Sequence, residues 1–342
     1  MVFMMPTMMF IMNGITLLVI WVGAHQIAQS AMQVGDMMAF MQYTMQIIFS
    51  FLMISMMFIM IPRASVSGDR IQEVLAVEPS ITDPVTPQEL PMNNQTTITF
   101  DHVSFRYEGA EEDVLHDINF VAKPGETTAF IGSTGSGKST LINLIPRFFD
   151  VTNGEVRIDD IDIRKVTQHD LREKIGYVPQ KGILFSGTIA SNLYYGDQNA
   201  SDADLAIAAQ VAQATSFVQS SPEGFEREIS QGGSNVSGGQ KQRLSIARAL
   251  VRKPDIYIFD DSFSALDYKT DVTLRKALKE YTSNSTVLIV AQRINTIMNA
   301  EQIIVLEHGH VVGKGTHGEL LKSCDTYREI ASSQLSEEEL AL

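Results

Sequence analysis

Residues 127–140 read TTAFIGSTGSGKST, a short apolar run followed at once by a glycine-rich loop that ends in lysine, serine and threonine. The apolar run predicts a buried strand, and residues 141–148 predict a helix. Strand, loop and helix in this order are typical of a phosphate-binding loop, whose glycines let backbone N–H groups curl around phosphate oxygens. Lys138 is expected to reach the β and γ phosphates, and the Ser139 hydroxyl to bind Mg²⁺. The candidate phosphate-binding residues are Gly132, Ser133, Thr134, Gly135, Ser136, Gly137, Lys138, Ser139 and Thr140.

Polar residues at the ends of other apolar runs extend this site. Residues 256–259 form a predicted strand that ends at Asp260 and Asp261, and a carboxylate at a strand end facing such a loop is a Mg²⁺ partner. A further predicted strand, residues 286–291, ends at Gln292. Residues 96–107 alternate polar and apolar side chains, which predicts a strand that ends in an exposed aromatic residue.

The beginning of the chain differs in composition from the rest. Of the 17 methionines, 15 lie in the first 60 residues, and the first acidic or basic side chain is Asp36. A membrane-spanning helix needs about 20 mostly apolar residues, and residues 6–24 and 37–61 each supply them. The polar segment 23–36 joins the two runs and predicts a membrane hairpin. A signal peptide fits the first run poorly because no basic residues precede it, and a buried core helix stays an alternative.

Basic residues predict the orientation of this hairpin. The joining segment has no Lys or Arg, while Arg63 and Arg70 follow the second run, so that end and the domain with the phosphate-binding loop are expected in the cytoplasm. Gln42, Gln46 and Ser50 recur at helical spacing, and polar groups in hydrocarbon usually face a helix bundle. We therefore expect a multi-pass protein of the cell membrane whose second span faces further helices.

Charge and cysteine content exclude several other classes. A net charge of −14 argues against nucleic acid as a partner, because binding to its phosphates needs clustered Lys and Arg. The single cysteine, Cys324, excludes an intrachain disulfide framework and is interpreted as an ordinary helix residue. Residues 337–339 are all glutamate and predict a solvated tail.

Taken together, these segments resemble the ATP-binding cassette (ABC) transporters, specifically the exporter type that fuses membrane and nucleotide domains. The resemblance extends over essentially all 342 residues. It implies ATP and Mg²⁺ as cofactors, adenine stacking on Tyr107, and a magnesium site at Ser139, Gln180 and Asp260. The segments that carry it are Tyr107, residues 132–140, Gln180 with residues 184–193, the signature at 236–240, Asp260 and residues 264–267.

The resemblance also implies the fold and its domains. The fold class is an α/β P-loop NTPase with a RecA-like core, an antiparallel β subdomain and a helical subdomain, preceded by a two-span α-helical transmembrane segment. The domain boundaries that follow are a transmembrane hairpin at 1–62, a cytosolic helix extension and linker at 63–95, the nucleotide-binding domain at 96–335 with its helical subdomain at about 172–250 by analogy, and an acidic tail at 336–342.

Members of this family hold each ATP between the phosphate loop of one subunit and the signature of the other. Further residues that the resemblance implies bind ATP are Ser237, Gly238, Gly239, Gln240 and Asp267. The signature is nearly intact, with Val236 in place of a usual leucine. Two copies of the fold are therefore expected to close on ATP.

Three positions depart from the family pattern. Asp261 stands where a glutamate usually acts as the general base, and Gln292 stands where a histidine usually contacts the γ-phosphate. Asp is one methylene shorter than Glu, and a misplacement of about 1 Å can lower a rate about a hundredfold. The segment before the signature, residues 230–233, reads SQGG instead of an acidic residue followed by a basic one.

These departures predict the degenerate-site subunit of a heterodimeric exporter, which couples ATP hydrolysis to the export of an amphiphilic solute. The catalytic residues of its own weakly hydrolytic site would be Lys138, Asp261 and Gln292. A homodimer that tolerates both changes is the alternative assembly. Because only two spans are present, a truncated remnant or fragment that binds ATP without transport is a second hypothesis. A soluble ATPase of the DNA-maintenance kind is disfavoured by the hairpin and the acidic charge.

Overall fold

A computed structural model describes residues 3–91 and 95–335 of the chain. The predicted acidic tail, residues 336–342, lies outside these residues. The chain divides into two compact units between Ser80 and Ile81, within the segment predicted to be a linker.

Helices and strands cover most of the described residues. The helices are α1 (Met4–Ala28), α2 (Val34–Leu75), α3 (Lys138–Leu144), α4 (Gln168–Glu173), α5 (Ile189–Tyr194), α6 (Asp202–Val211), α7 (Thr215–Gln219), α8 (Gly238–Val251), α9 (Tyr268–Tyr281), α10 (Ile294–Ile297), α11 (His317–Ser323) and α12 (Asp325–Ser332). The strands are β1 (Ile98–Phe105), β2 (Leu115–Ala122), β3 (Thr127–Gly132), β4 (Asn153–Ile158), β5 (Ile161–Asp162), β6 (Ile175–Val178), β7 (Gly187–Thr188), β8 (Glu228–Ile229), β9 (Ile256–Asp260), β10 (Thr286–Val290), β11 (Gln302–Glu307) and β12 (His310–Gly315).

The first unit is a hairpin of two long apolar helices, and both are long and apolar enough to cross a membrane. Helix α1 continues to Ala28, so the turn is shorter than the polar segment 23–36 that was expected to form it. Gly23 lies inside the helix, where a Cβ atom would come within 2.7 Å of the Met37 side chain. Its missing side chain lets α2 approach closely. At about 1.5 Å per residue, the 42 residues of α2 are about twice as long as a bilayer core.

Polar side chains inside this hairpin bond to their own helix. The hydroxyls of Thr16, Thr44 and Ser50 each donate to the carbonyl oxygen four residues earlier, at 2.9, 2.8 and 2.9 Å. Such bonds satisfy the hydroxyls without water. Gln46 and Ser50 line an open groove on α2, whereas Gln42 borders a groove between α2 and α1.

The second unit is built around a six-stranded sheet with the order β12-β11-β3-β10-β9-β6. Strands β11, β3, β10, β9 and β6 run parallel to their neighbours, and β12 pairs antiparallel to β11 at one edge. A second sheet, with the order β2-β1-β4-β5, is antiparallel throughout.

Alternation along β3 shows why the sheet is covered on both faces. Phe130 belongs to a core shared with the antiparallel sheet, and its ring lies 5.4 Å from that of Phe120. Its neighbour Ile131 points the other way, into a core with the helical side chains Leu244 and Leu274. Successive residues of a strand face opposite sides, and parallel sheets are buried on both.

Two local predictions differ from the structure. Cys324, interpreted as a helix residue, instead lies in extended conformation between α11 and α12 and is 4 % exposed. The predicted helix at 141–148 begins earlier, at Lys138, and ends at Leu144. Proline follows two residues after that end, at Pro146, and cannot donate a helical hydrogen bond.

We expect Ile258→Ala to destabilise the second unit by about 2–5 kcal/mol, because the change leaves a cavity at a fully buried position of β9. Scanning calorimetry of the whole chain in detergent would show the loss as a lower unfolding midpoint. The matched control is Val121→Ala on β2, where the side chain is 38 % exposed and the change should stay below about 1 kcal/mol. Equal losses from the two variants would contradict the assignment of this core.

Candidate nucleotide-binding site

Four neighbouring parallel strands end at the same edge of the sheet, and each carries predicted site residues there. In sheet order, β3 leads into the glycine-rich loop, β10 into Gln292, β9 into Asp260 and Asp261, and β6 into Gln180. The carboxyl ends of adjacent parallel strands are the usual ligand position of an open α/β sheet. The structure therefore brings together side chains that are far apart in sequence.

Glycines are required within the loop by both conformation and space. Gly135 and Gly137 have φ values of 85° and 95°, in the left-handed region. A Cβ atom on Gly137 would lie 2.7 Å from Leu115, and one on Gly132 would lie 2.0 Å from the Leu306 carbonyl oxygen. The Lys138 ammonium donates back across the loop to the carbonyl oxygens of Gly132 and Ser133, at 2.9 and 2.7 Å. Ser136 is buried, whereas Ser133, Thr134 and Gly135 are exposed at the surface of the loop.

Ser139 and Asp260 form the predicted magnesium side of the site. The Ser139 hydroxyl donates to Asp260 Oδ1 at 3.1 Å, and Asp260 is 7 % exposed. Burial raises the pKa of Asp260, and the Asp261 charge adds to the rise, while Ser139 and Lys138 oppose it. Burial also lowers the pKa of Lys138, against the attraction of both carboxylates. The two oxygens suit Mg²⁺, which binds few protein ligands and keeps waters and phosphate oxygens as the others.

Asp261 is held by two carboxamides. Gln180 Nε2 and Gln292 Nε2 both donate to Asp261 Oδ2, at 3.0 and 2.9 Å. Asp261 is 8 % exposed and has a φ of 45°, a left-handed conformation in which Asp and Asn are enriched. Within the structure, then, Gln180 faces Asp261 with its amide nitrogen, and its amide oxygen is the atom left to serve as the predicted metal ligand.

Tyr107 is fixed beside the loop. Its hydroxyl lies 3.0 Å from Thr140 Oγ1, and its ring makes edge contacts with Phe105 and Phe149. The tyrosine is 37 % exposed, so part of the ring is open for stacking. Aromatic faces of this kind are suited to bind a base.

The signature lies at the start of α8. Ser237 caps this helix, and its backbone N–H in turn donates to Gln240 Oε1 at 2.9 Å. Gly238 is exposed, and a Cβ atom there would meet no atom within 4 Å. A Cβ atom on Gly239 would lie 3.2 Å from the Ala265 carbonyl oxygen, so the signature packs on the segment that leads to Asp267. Asp267 caps α9, and the N–H of Thr270 holds the pKa of Asp267 below its usual range.

The segment before the signature forms a tight turn. Gly232 and Gly233 both have a φ of 66°, which other residues rarely adopt. Asn235 secures the turn by accepting from the N–H of Ser230 at 3.0 Å and donating to the Glu228 carbonyl at 2.8 Å. Val236 is 8 % exposed and anchors the signature in the helical core. The departures at 230–233 and 236 therefore have structural roles.

Sequence reasoning missed Gln242, which links the signature helix to the segment around Gln180. Gln242 is 2 % exposed; its Oε1 accepts from the N–H of Gly182 at 3.1 Å, and its Nε2 donates to the Pro179 carbonyl at 3.2 Å. A lone amide on the apolar face of α8 was the available signal. Gln334 was missed as well: its side chain bonds to the backbone of Gln292 and Ile294, and nothing in its local sequence indicates this.

Comparisons with known proteins show which family this chain resembles. A family model described as ABC transporter matches residues 115–264. An uncharacterized ABC transporter ATP-binding protein of Mycobacterium tuberculosis is 44 % identical over 335 residues, which are 97 % of this chain and 57 % of the relative. A putative multidrug export ATP-binding/permease protein of Staphylococcus aureus is 45 % identical over 240 residues, which are 70 % of this chain and 42 % of the relative.

A solved structure is also similar over nearly the whole chain. The structure of a bacterial Atm1-family ABC exporter with ATP bound matches with a TM-score of 0.84 and 32 % identity, and covers 97 % of this chain and 58 % of that one. The first of these relatives, like the exporter structure, is thus matched over little more than half of its own length.

We expect Asp260→Asn to raise the unfolding midpoint at pH 7 in the absence of nucleotide. The folded-state pKa of Asp260 is raised. The protonated carboxyl therefore stabilises the fold fully below the usual Asp pKa range, and this stabilisation is lost as the pH rises through the raised pKa, so that at pH 7 the buried carboxylate is destabilising. Asn stays neutral throughout, so the gain should shrink as the pH is lowered. Thermal unfolding over a pH series measures this.

The same variant should lose most of the effect of Mg²⁺ on ATP affinity, measured by titration with and without the metal. For the unfolding measurement, Asp255→Asn is the control: it breaks an ion pair with Lys174 at 2.6 Å and should lower the unfolding midpoint at pH 7. A lower midpoint for Asp260→Asn would contradict the destabilising effect of its burial.

Proposed function

The chain belongs to the ABC transporter family and carries an exporter-type ATP-binding domain, and on that premise we propose that it serves in a heterodimeric exporter whose own ATP site turns over slowly. Both the family and the α/β fold class were predicted from the sequence and are confirmed. In this proposal the chain binds ATP with Mg²⁺ and couples its binding and hydrolysis to export of an amphiphilic solute.

The observation that carries the proposal is the environment of Asp261. A general base must direct an oxygen at the attacking water within hydrogen-bond reach. Asp261 is short for this task, and its Oδ2 already accepts from both Gln180 and Gln292. That oxygen has less capacity to accept a further hydrogen bond from water. Gln292 donates a hydrogen bond but carries no titrating proton at neutral pH.

ATP binding, by contrast, is supported by an intact set of residues. The loop keeps the glycines, Lys138 and Ser139 that phosphate binding requires, and Asp260 is in place beside Ser139. When bound, Mg²⁺ neutralises phosphate charge and orients it. The chain's own residues would thus retain ATP and position it poorly for hydrolysis.

The signature supports a role at the partner's ATP. Ser237, Gly238 and Gly239 lie at the N-terminus of α8, a 14-residue helix whose dipole favours an anion at this end. Gly238 presents backbone without a side chain. This half of the chain's chemistry is preserved, and it would complete the hydrolytic site of a second subunit that keeps the glutamate and histidine.

The membrane part of the proposal rests on the hairpin. Helices α1 and α2 would cross the cell membrane, with Arg63 and Arg70 on the cytoplasmic side together with the second unit. The amphiphilic character of the solute is supported by the name of the Staphylococcus aureus relative, a putative multidrug exporter, and by the adaptable apolar surface that a methionine-rich hairpin offers.

We expect Gly238→Asp to lower the ATPase rate of the complex with a partner subunit by at least about tenfold, because a carboxylate would face the partner's phosphate. The fold should stay intact, since the Cβ position is open. Asp261→Asn in the same complex should change the rate by less than about twofold. Steady-state phosphate release measures both.

Two outcomes would refute this division of roles. One is strong turnover by the lone subunit, which requires its own site to be competent. The other is a larger loss from Asp261→Asn than from Gly238→Asp in the mixed complex.

We expect Asp261→Glu to raise single-turnover hydrolysis at this chain's own site, because the longer side chain can approach the attacking water. The gain should be larger with Gln292→His added, which removes one of the two carboxamide donors to residue 261. A complex that carries Gly238→Asp isolates the chain's own site from its partner's. No gain from either variant would show that the slow turnover has another origin.

A further inference from the structure

The turn after α12 contacts the backbone that carries Gln292. Gln334 Nε2 donates to the carbonyl oxygen of Gln292 at 2.9 Å, and Gln334 Oε1 accepts from the N–H of Ile294 at 2.9 Å. One side-chain amide thus holds the backbone on both sides of Arg293. A bond at each end of a planar amide fixes the distance and the direction of the segment it holds.

Packing and backbone hydrogen bonds anchor the turn that carries Gln334. The preceding helix α12 buries Tyr327 and Ala331 completely, and Leu335 directly after Gln334 is 7 % exposed. The N–H groups of Gln334 and Leu335 both donate to the Ala331 carbonyl, at 3.0 and 2.9 Å. The side chain of Gln334 is itself exposed, so it reaches the segment 292–294 from an anchored turn.

A continuous set of contacts joins this turn to the phosphate loop. Gln334 bonds the backbone of Gln292, whose side chain bonds Asp261 at 2.9 Å. Asp260, the preceding residue, accepts from Ser139 in the loop at 3.1 Å. These contacts link the segment that carries the Gln292 amide to the turn after α12.

We propose that Gln334 is a positioning residue of the nucleotide site. It holds the segment 292–294 so that the Gln292 amide stays where it can reach the γ-phosphate of a bound ATP. The proposal rests on the assignment of ATP to this site, and it adds a residue that sets discrimination between ATP and ADP. ADP lacks the γ-phosphate, so the affinity for ADP should depend on the phosphate-binding loop and Tyr107 and not on Gln334.

The first test is hydrogen–deuterium exchange of the full chain in nanodiscs without nucleotide. Gln334→Met keeps the length of the side chain and removes both bonds, so the segment 292–297 should exchange faster. Gln334→Glu keeps an acceptor for the Ile294 N–H but sets its second oxygen against the Gln292 carbonyl oxygen, so it should retain only part of the protection. Ser333→Ala is the control, because the Ser333 hydroxyl donates only within its own turn, to the Ile330 carbonyl at 2.8 Å.

The second test is nucleotide affinity of the same variants. We expect Gln334→Met to weaken ATP binding about three- to tenfold, the effect of losing about one hydrogen bond from the Gln292 amide to the γ-phosphate, while ADP binding changes less than about twofold. Ser333→Ala should change neither. The unfolding midpoint of each variant shows whether a general loss of stability contributes.

Unchanged exchange at 292–297 in Gln334→Met would overturn the proposal, as would equal weakening of ATP and ADP. Both readouts use the lone chain and involve no hydrolysis, so they are independent of the ATPase measurements on the mixed complex. The positioning role of Gln334 can therefore be refuted while the proposed heterodimer is upheld, and the heterodimer can be refuted while the role of Gln334 is upheld.

Discussion

The parallel pairing of β3, β10, β9 and β6 is the constraint on which the rest of the molecule depends. Because these strands are neighbours and run in one direction, their carboxyl ends deliver the phosphate loop, a carboxylate pair and two carboxamides to one edge of the sheet. A slip of a single residue would turn each set of side chains to the opposite face. The buried faces of the sheet, with aromatic contacts such as Phe120 on Phe130, oppose any such slip.

Sequence alone predicted the parts of the fold and the site that depend on local pattern. The strand before the loop, the glycines of the loop and the acidic strand end each follow from a few adjacent residues, and the structure places them within one or two positions of the prediction. The two long apolar helices were also predicted, although both extend beyond the predicted runs 6–24 and 37–61, to Met4–Ala28 and Val34–Leu75, and the turn between them is shorter than expected. Periodicity and glycine content are properties that a single segment carries by itself.

What could not be predicted depends on contacts between distant segments. Gln242 and Gln334 are ordinary polar residues in their own segments, and their roles appear only when α8 lies beside residues 179–182 and α12 lies near residue 292. The hydrogen bonds from Gln180 and Gln292 to Asp261 are likewise invisible in the sequence, since it records neither side-chain direction nor the order of the strands in the sheet.

Helix α8 carries Ser237 at its start and Gln242 within its second turn, and Gln242 binds the backbone on both sides of Gln180. The helix start that we propose faces a partner's nucleotide and the residue that donates to this chain's own Asp261 are therefore linked through α8. If ATP binding at one site shifts α8 and so changes the nucleotide affinity of the other site, then binding at the other site must change the ATP affinity of the first by the same factor. In the proposed heterodimer, nucleotide held at this chain's own site would then shift the affinity of the partner's site for its nucleotide.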